Sequence, residues 1–239
     1  MAGAAAAAGG RAVWDRNQPP PPDGARSSWA QQGEDIVLWH VLHHLLEIKQ
    51  PTFMDVGAAD PIKGNNTYLL YYTGSRGVVV EPNPTFAAAL RARRPGDKVV
   101  EAGIGVTDAA EADYYEIKGN PLLNTFSPEQ VEYLQKGRTE SVVERVVKMP
   151  LLNINKVIRE QLGKAPDLLS TDIEGLDYAI LQTLDWSQFR PAAICAEGVS
   201  MFKNGTDSKI TAYLRSQDYI VRGGSTVNTI YVDTRRIDA

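Results

Sequence analysis

Phe53-Met54-Asp55-Val56-Gly57-Ala58-Ala59-Asp60 decides the fold: an apolar run that breaks at an acid, with glycine two residues on. A short apolar run closed by a turn is the mark of a buried strand. A second such run, Gly77-Val78-Val79-Val80-Glu81, also stops on a carboxylate. In an open parallel sheet, ligands lie across the carboxyl ends of the strands. Glycine there lets backbone come close, and an acid at the next strand end accepts from ribose hydroxyls. The turn from Asp55 to Asp60 lacks the three glycines that cradle a pyrophosphate. The pair therefore predicts a site for one nucleoside without a diphosphate, which favours S-adenosylmethionine over a nicotinamide or flavin dinucleotide.

Outward from this strand the pattern alternates. Ile36, Val37, Leu38, Val41, Leu42, Leu45 and Leu46 recur at helical spacing and predict a helix over 33–47. Asn65 or Asn66 is expected to cap a short helix ending at Tyr72, and Pro84 to open a helix over 84–93. Strands are expected at 98–102, 112–117 and 143–149, and Ser127-Pro128-Glu129-Gln130 reads as a capping box opening a helix to about Lys136. Helices over 154–162, 176–184 and 208–217 then alternate with strands over 167–171, 192–196, 219–222 and 227–233. Strands alternating with helices predict an α/β fold, a parallel sheet with helices on both faces.

At 239 residues and 43% hydrophobic content the chain can bury a full core as a single domain. A net charge of −4 offers no basic face for a nucleic-acid backbone, so no nucleic-acid partner is expected. Cys195, the sole cysteine, sits in an apolar run and reads as an inert buried thiol. Residues 1–28, with Ala4 to Ala8 and Pro19 to Pro22, read as a flexible leader and make a poor secretory signal; no run is long enough to span a bilayer. The expectation is one domain over 29–239, soluble and cytoplasmic, with no membrane insertion and an oligomeric state that the sequence leaves open.

A second chemical cluster follows the run Leu168-Leu169-Ser170-Thr171: Asp172-Ile173-Glu174-Gly175. Glu197-Gly198 ends the next apolar run in the same way. Asp55, Glu81, Asp172, Glu174 and Glu197 are thus all expected at one edge of the sheet, where cofactor and substrate lie.

The order Ala30-Gln31-Gln32-Gly33-Glu34-Asp35, Asp55-Val56-Gly57, Asn66-Thr67, Glu81-Pro82-Asn83-Pro84, Gly103-Ile104-Gly105-Val106 and Asp172-Ile173-Glu174-Gly175 resembles the FkbM family of S-adenosylmethionine-dependent O-methyltransferases from about Ser28 onward. One departure is Ala30, where the family usually shows serine. The resemblance implies the class I methyltransferase (Rossmann-like) fold, a seven-stranded, mostly parallel sheet whose last strand is antiparallel. It also implies methyl transfer to a hydroxyl of a sugar, glycan or natural product such as a polyketide. By the same resemblance Gln31, Asp35, Asp55, Gly57, Asn66, Thr67, Glu81, Pro82, Asn83, Ile104 and Asp172 bind the cofactor. Within that set Asp55 and Gly57 lie beside its methionine part, Glu81 on the ribose diol and Ile104 near adenine, while Gln31 and Asp35 belong to a motif closing over the pocket.

Methyl transfer needs a base beside the acceptor hydroxyl, and the candidates are Asp172, Glu174 and Glu197. No metal is expected in this set; a divalent ion held by the same oxygens is the rival arrangement. His40, His43 and His44 lack the glutamate of a zinc-protease motif and read as structural or surface groups. The polar insertion over about 118–148, with Asn124, Thr125, Arg138 and Arg145, is expected to lie on the substrate side. A nucleotide-dependent oxidoreductase would show Gly-x-Gly-x-x-Gly, which is absent, and a silent cofactor-binding subunit would have lost the strand-end acids.

Overall fold

The computed structural model describes residues 27–107, 109–198 and 208–237. Of the leader expected over 1–28, all but Ser27 and Ser28 lies outside the described residues. The main sheet contains β1 (Phe53–Val56), β2 (Gly77–Val80), β3 (Lys98–Val100), β7 (Leu168–Thr171), β8 (Ala193–Glu197), β9 (Tyr219–Gly224) and β10 (Asn228–Asp233). The remaining strands, β4 (Gly103–Ile104), β5 (Glu111–Ile117) and β6 (Val143–Leu152), form a separate three-stranded sheet ordered β4-β6-β5. Spatial order in the main sheet is β3-β2-β1-β7-β8-β10-β9. Pairing is parallel from β3 to β8, and β10 runs antiparallel to both β8 and β9. The expected seven-stranded sheet with an antiparallel last strand is the one observed.

Near-continuous apolar strands are those buried on both faces. Met54, Val56, Val80, Leu169 and Ile194 pack with Ile154, Val157 and Ile158 of α5 (Ile154–Gln161) and Ile180 and Leu181 of α6 (Asp177–Thr183). The intervening residues Phe53, Val79, Leu168, Ala193 and Cys195 pack with Leu38 of α1 (Glu34–His40), Leu70 of α2 (Tyr68–Tyr72) and Leu90 of α3 (Pro84–Arg93). Ile210 and Leu214 of α7 (Ser208–Ser216) join the first layer. Cys195 is fully buried, as its setting predicts.

Most boundaries follow local chemistry. Asn83 caps α3 by accepting from the Thr85 N–H, with Pro84 in the first turn, and Ser127 caps α4 (Pro128–Gln135) by accepting from the Gln130 N–H. The α2 expectation is corrected. Its N-cap is Thr67, without a side-chain cap bond, because Asn65 is used elsewhere. The Asn65 amide donates to the Ala58 and Asp60 carbonyls at 2.9 and 3.1 Å, and its oxygen accepts from the Thr67 N–H at 3.0 Å. β6 also continues past Met149 through Pro150, where proline would suggest a stop, because the Leu151 N–H finds the Ala110 carbonyl and β4 pairs alongside.

Two long-range anchors set the site. The Thr52 N–H and hydroxyl both donate to Asp167 Oδ2 at 2.7 Å across 115 residues, aligning the entries of β1 and β7. Arg94, fully buried, donates Nε to Asp97 at 2.7 Å, Nη1 to Asn65 Oδ1 at 3.0 Å and Nη2 to Thr67 Oγ1 at 3.1 Å. Asp97 in turn accepts from the Gly77 N–H at 2.8 Å. A planar guanidinium satisfies three partners at once, which an ammonium on a flexible stem does not.

Arg94→Met leaves Asp97 buried without its cation and should cost roughly 3 to 5 kcal/mol in urea unfolding. Adding Asp97→Asn should recover part of that loss, with a coupling of about 0.5 to 3 kcal/mol. Strictly additive losses would show that the pair is not a unit.

Candidate active site

β1 ends at Val56, and Gly57 follows at φ 82°, a conformation that side chains disfavour. A Cβ there would stand 2.0 Å from the Asp172 carbonyl, and the Asp172 N–H donates to the Val56 carbonyl at 3.0 Å. The turns after β1 and β7 therefore touch backbone to backbone. Ala59 and Glu174 also hold positive φ, 47° and 53°, although they carry side chains. Such residues cost of order 1–3 kcal/mol each and collect at functional turns.

The Ala59 strain has a visible return. Its N–H donates to Glu81 Oε2 at 2.8 Å, while the Asn83 N–H donates to Oε1 at 2.7 Å. Both oxygens keep a lone pair for a diol. Burial outweighs these bonds and pushes the Glu81 carboxyl up to about 7. Asp55 lies one strand over, buried, with Oδ2 accepting from the Thr67 hydroxyl at 2.7 Å. Its carboxyl is raised by burial, against the pull of Thr67 and Arg94.

A cleft of about 580 Å³ opens at this edge, bordered by Gly57, Glu81, Pro82, Ile104, Asp172 and Glu174 among others. Of the residues expected on the cofactor, Gly57, Glu81, Pro82, Ile104 and Asp172 border it directly, whereas Asp55 and Thr67 lie outside its lining and are joined through the Thr67 hydroxyl. Asn83 works through its N–H on Glu81 and as the cap of α3. Asn66 is buried, with its side-chain oxygen lacking a hydrogen-bond donor among the described residues. Gln31 is exposed and outside the cleft lining. Asp35 is fully buried and accepts from the Ser28 hydroxyl and the Trp29 N–H at 2.6 and 2.7 Å, which pins that segment to α1 away from the cleft lining.

Across the cleft, carboxylate oxygens of Asp172, Glu174 and Glu197 all lie within 4.8 Å of one another. Burial, then Asp177 and Glu174, drives Asp172 well above the ordinary range. Burial and Asp177 push Glu174 up to about 7, and burial with Asp172 and Asp177 pushes Glu197 up to about 11. The charged groups acting most strongly on all three are acids. At an effective dielectric of about 20, two ionised carboxylates near 5 Å repel by roughly 3 kcal/mol. Asp172 and Glu174 border the cleft, and Glu197 adjoins them from the next strand.

Three partners were not apparent from sequence. Gln130 donates its amide to Glu174 Oε2 at 3.0 Å, so the far half of the expected capping box reaches into the acid turn instead of back to its own helix. Tyr114 and Phe126 wall the cleft, their rings 4.8 Å apart. Asn124 and Thr125 also border it, while Arg138 and Arg145 do not; Arg145 pairs with Glu116. The histidines form a ring cluster with Trp39, His43 stacking at 4.5 Å, and take no part in the acid group.

A family model described as the methyltransferase FkbM domain matches residues 55–221, from the first site acid to β9. The chain belongs to the FkbM methyltransferase family. Comparison with curated proteins gives no match. Among solved structures, a TehB-like SAM-dependent methyltransferase from Corynebacterium glutamicum is 7% identical, covering 85% of this chain and 89% of that one at TM-score 0.46. Magnesium protoporphyrin IX methyltransferase from Synechocystis, solved with bound SAM, is 11% identical over 84% and 77% at TM-score 0.45. Precorrin-6y C5,15-methyltransferase from Geobacter metallireducens is 12% identical over 87% and 91% at TM-score 0.43. At these values the three likenesses carry no argument. The fold of this FkbM chain rests on its own sheet order and its membership on the family match. No helix among the described residues is long and apolar enough to cross a membrane.

Glu81 supplies a pH signature for this site. Its folded value near 7 lies above the unfolded 4.5, so folding favours the protonated form. The penalty is absent below the unfolded value, grows as pH rises from 4.5 to 7, and reaches about 3 kcal/mol above it at 1.36 kcal/mol per unit. In cofactor-free urea unfolding, the stability of Glu81→Gln relative to wild type should climb by that order over this window. A flat difference would overturn the assignment.

Proposed function

We propose that this FkbM methyltransferase transfers a methyl group from S-adenosylmethionine to a hydroxyl of a sugar, glycan or glycosylated natural product. The observation that carries this reading is one cleft bordered both by the buried carboxylate of Glu81, which suits a ribose diol, and by Asp172 and Glu174, which suit a base role. The residues fit the cofactor: Gly57 presents backbone where a side chain has no room, and Ile104 and Pro82 offer apolar surface between Glu81 and the wall formed by Tyr114 and Phe126. When bound, S-adenosylmethionine supplies an electrophilic methyl on a positively charged sulfur.

The chain's own contribution is alignment and proton acceptance. Holding the hydroxyl in line is worth ~7 to 11 kcal/mol. Moving a proton in advance from a hydroxyl near ~15.7 to a carboxylate near ~4 would cost about 16 kcal/mol. With Glu174 raised to about 7 that cost falls to about 12 kcal/mol. Prior deprotonation still loses, so the proton leaves late, with the methyl transfer, to an acid in contact with the hydroxyl. Carboxylates that collect hydroxyl donors suit a sugar, and Asn124 and Thr125 of the insertion over 118–148 border the same opening, which supports an acceptor bound there.

Calorimetry should show one S-adenosylmethionine bound per chain, with Glu81→Ala weakening it by about 1.5 to 3 kcal/mol. Unchanged affinity in that variant would remove Glu81 from the ribose. Asp172→Asn and Glu174→Gln should keep cofactor binding while turnover falls ~10² to 10⁴-fold. Isotopically labelled methyl found on nitrogen, carbon or carboxyl rather than on a sugar hydroxyl would sink the acceptor assignment.

A further inference from the structure

We propose that Asp172, Glu174 and Glu197, together with the side-chain oxygen of Asn228, form a binding site for a hard divalent cation such as Mg²⁺ or Mn²⁺. Asp172 and Glu174 lie in the turn that follows β7 and Glu197 ends β8, its parallel neighbour, so the sheet brings the three carboxylates together. Their oxygens lie within 4.8 Å of one another. An octahedral ion with ligands at 2.0–2.1 Å holds opposite oxygens about 4.2 Å and neighbouring ones about 2.9 Å apart, so seating one asks the carboxylates to draw together by at most about 2 Å, within reach of side-chain rotation. An all-oxygen, mostly anionic donor set suits Mg²⁺, Ca²⁺ or Mn²⁺ and not a soft metal.

A second observation, independent of the acids, points to the same place. Asn228 is 1% exposed, and its Oδ1 has no hydrogen-bond donor among the described residues. It pairs directly with Glu197 across the antiparallel β8–β10 ladder. Side chains directly opposite leave the same face, with Cβ atoms about 4.5–5.5 Å apart. Asn228 therefore carries a buried acceptor, short of a donor, toward an acid that is itself only an acceptor when ionised. A cation answers every one of these oxygens at once. The rival is a proton on Glu197 donated to Asn228, which would leave Asp172 and Glu174 uncompensated.

The proposal deepens the methyl-transfer reading, since an ion here would hold the acceptor oxygen beside the cofactor. Monodentate carboxylates keep their second oxygens, so the base role stands alongside it.

The test is titration of the full chain with Mn²⁺ alone, following the free-ion electron paramagnetic resonance signal. One Mn²⁺ per chain should bind, displaced by Mg²⁺. Glu197→Gln and Asn228→Leu should each weaken it about tenfold or more. Asn228→Asp should tighten it by adding charge, and this variant keeps the test sharp should Asn228→Leu fold poorly. Failure of wild type to bind Mn²⁺ at millimolar concentration overturns the proposal, as does binding unchanged in Glu197→Gln and Asn228→Leu or weakened in Asn228→Asp. S-adenosylmethionine affinity, measured on the chelated protein, separates that failure from failure of the methyl-transfer reading.

Discussion

The structure depends on the backbone contact between Gly57 and Asp172. A side chain at Gly57 would overlap the Asp172 carbonyl, and the Asp172 N–H is already committed to Val56. The two turns that border the cleft, one after β1 and one after β7, are thereby held at a fixed separation by main chain alone. Every functional distance in the cleft inherits that separation. Behind it, Arg94 ties the loop at Asn65 and Thr67 to the start of β2 through Asp97. Thr67 then carries the same restraint to Asp55.

On this rigid base the molecule places its least comfortable groups. The charged groups that act most strongly on Asp172, Glu174 and Glu197 are acids, so the three are held together against their mutual repulsion. Glu174 adds backbone strain to its burial, and its one side-chain partner from the insertion is Gln130. The small sheet β4-β6-β5 and α4 thus reach the acid turn through a neutral amide, which positions a carboxylate without neutralising it.

The fold was largely legible because buried strands, proline and asparagine caps, and strand-end acids are local signals. Pro84 opens α3 and Ser127 caps α4 where local chemistry says they should. β4 escaped notice because two residues, Gly103 and Ile104, carry no period. Site residues divide the same way. Glu81, Gly57 and Asp172 announce themselves by standing at strand ends. Arg94 and Gln130 do not, since Arg94 reaches Thr67 and Asn65 across 27 and 29 residues and Gln130 reaches Glu174 across 44, and only the folded chain brings them together. Asp35 shows the converse: a motif acid whose observed bonds all run to residues close to it in sequence, Ser28, Trp29, Ala30 and Ile36.

The central position of β1 has a kinetic meaning. One of its neighbours, β2, emerges from synthesis soon after it, but the other, β7, arrives only after the whole small sheet has been made. Until then one edge of this fully buried strand stands open, and the Thr52–Asp167 clasp across 115 residues has nothing to close on. Loop closure of that span precedes its reward, so assembly of this chain is governed by sequence separation. The interval before β7 appears is the stretch in which a nascent chain exposes an unpaired edge and is most prone to mispairing.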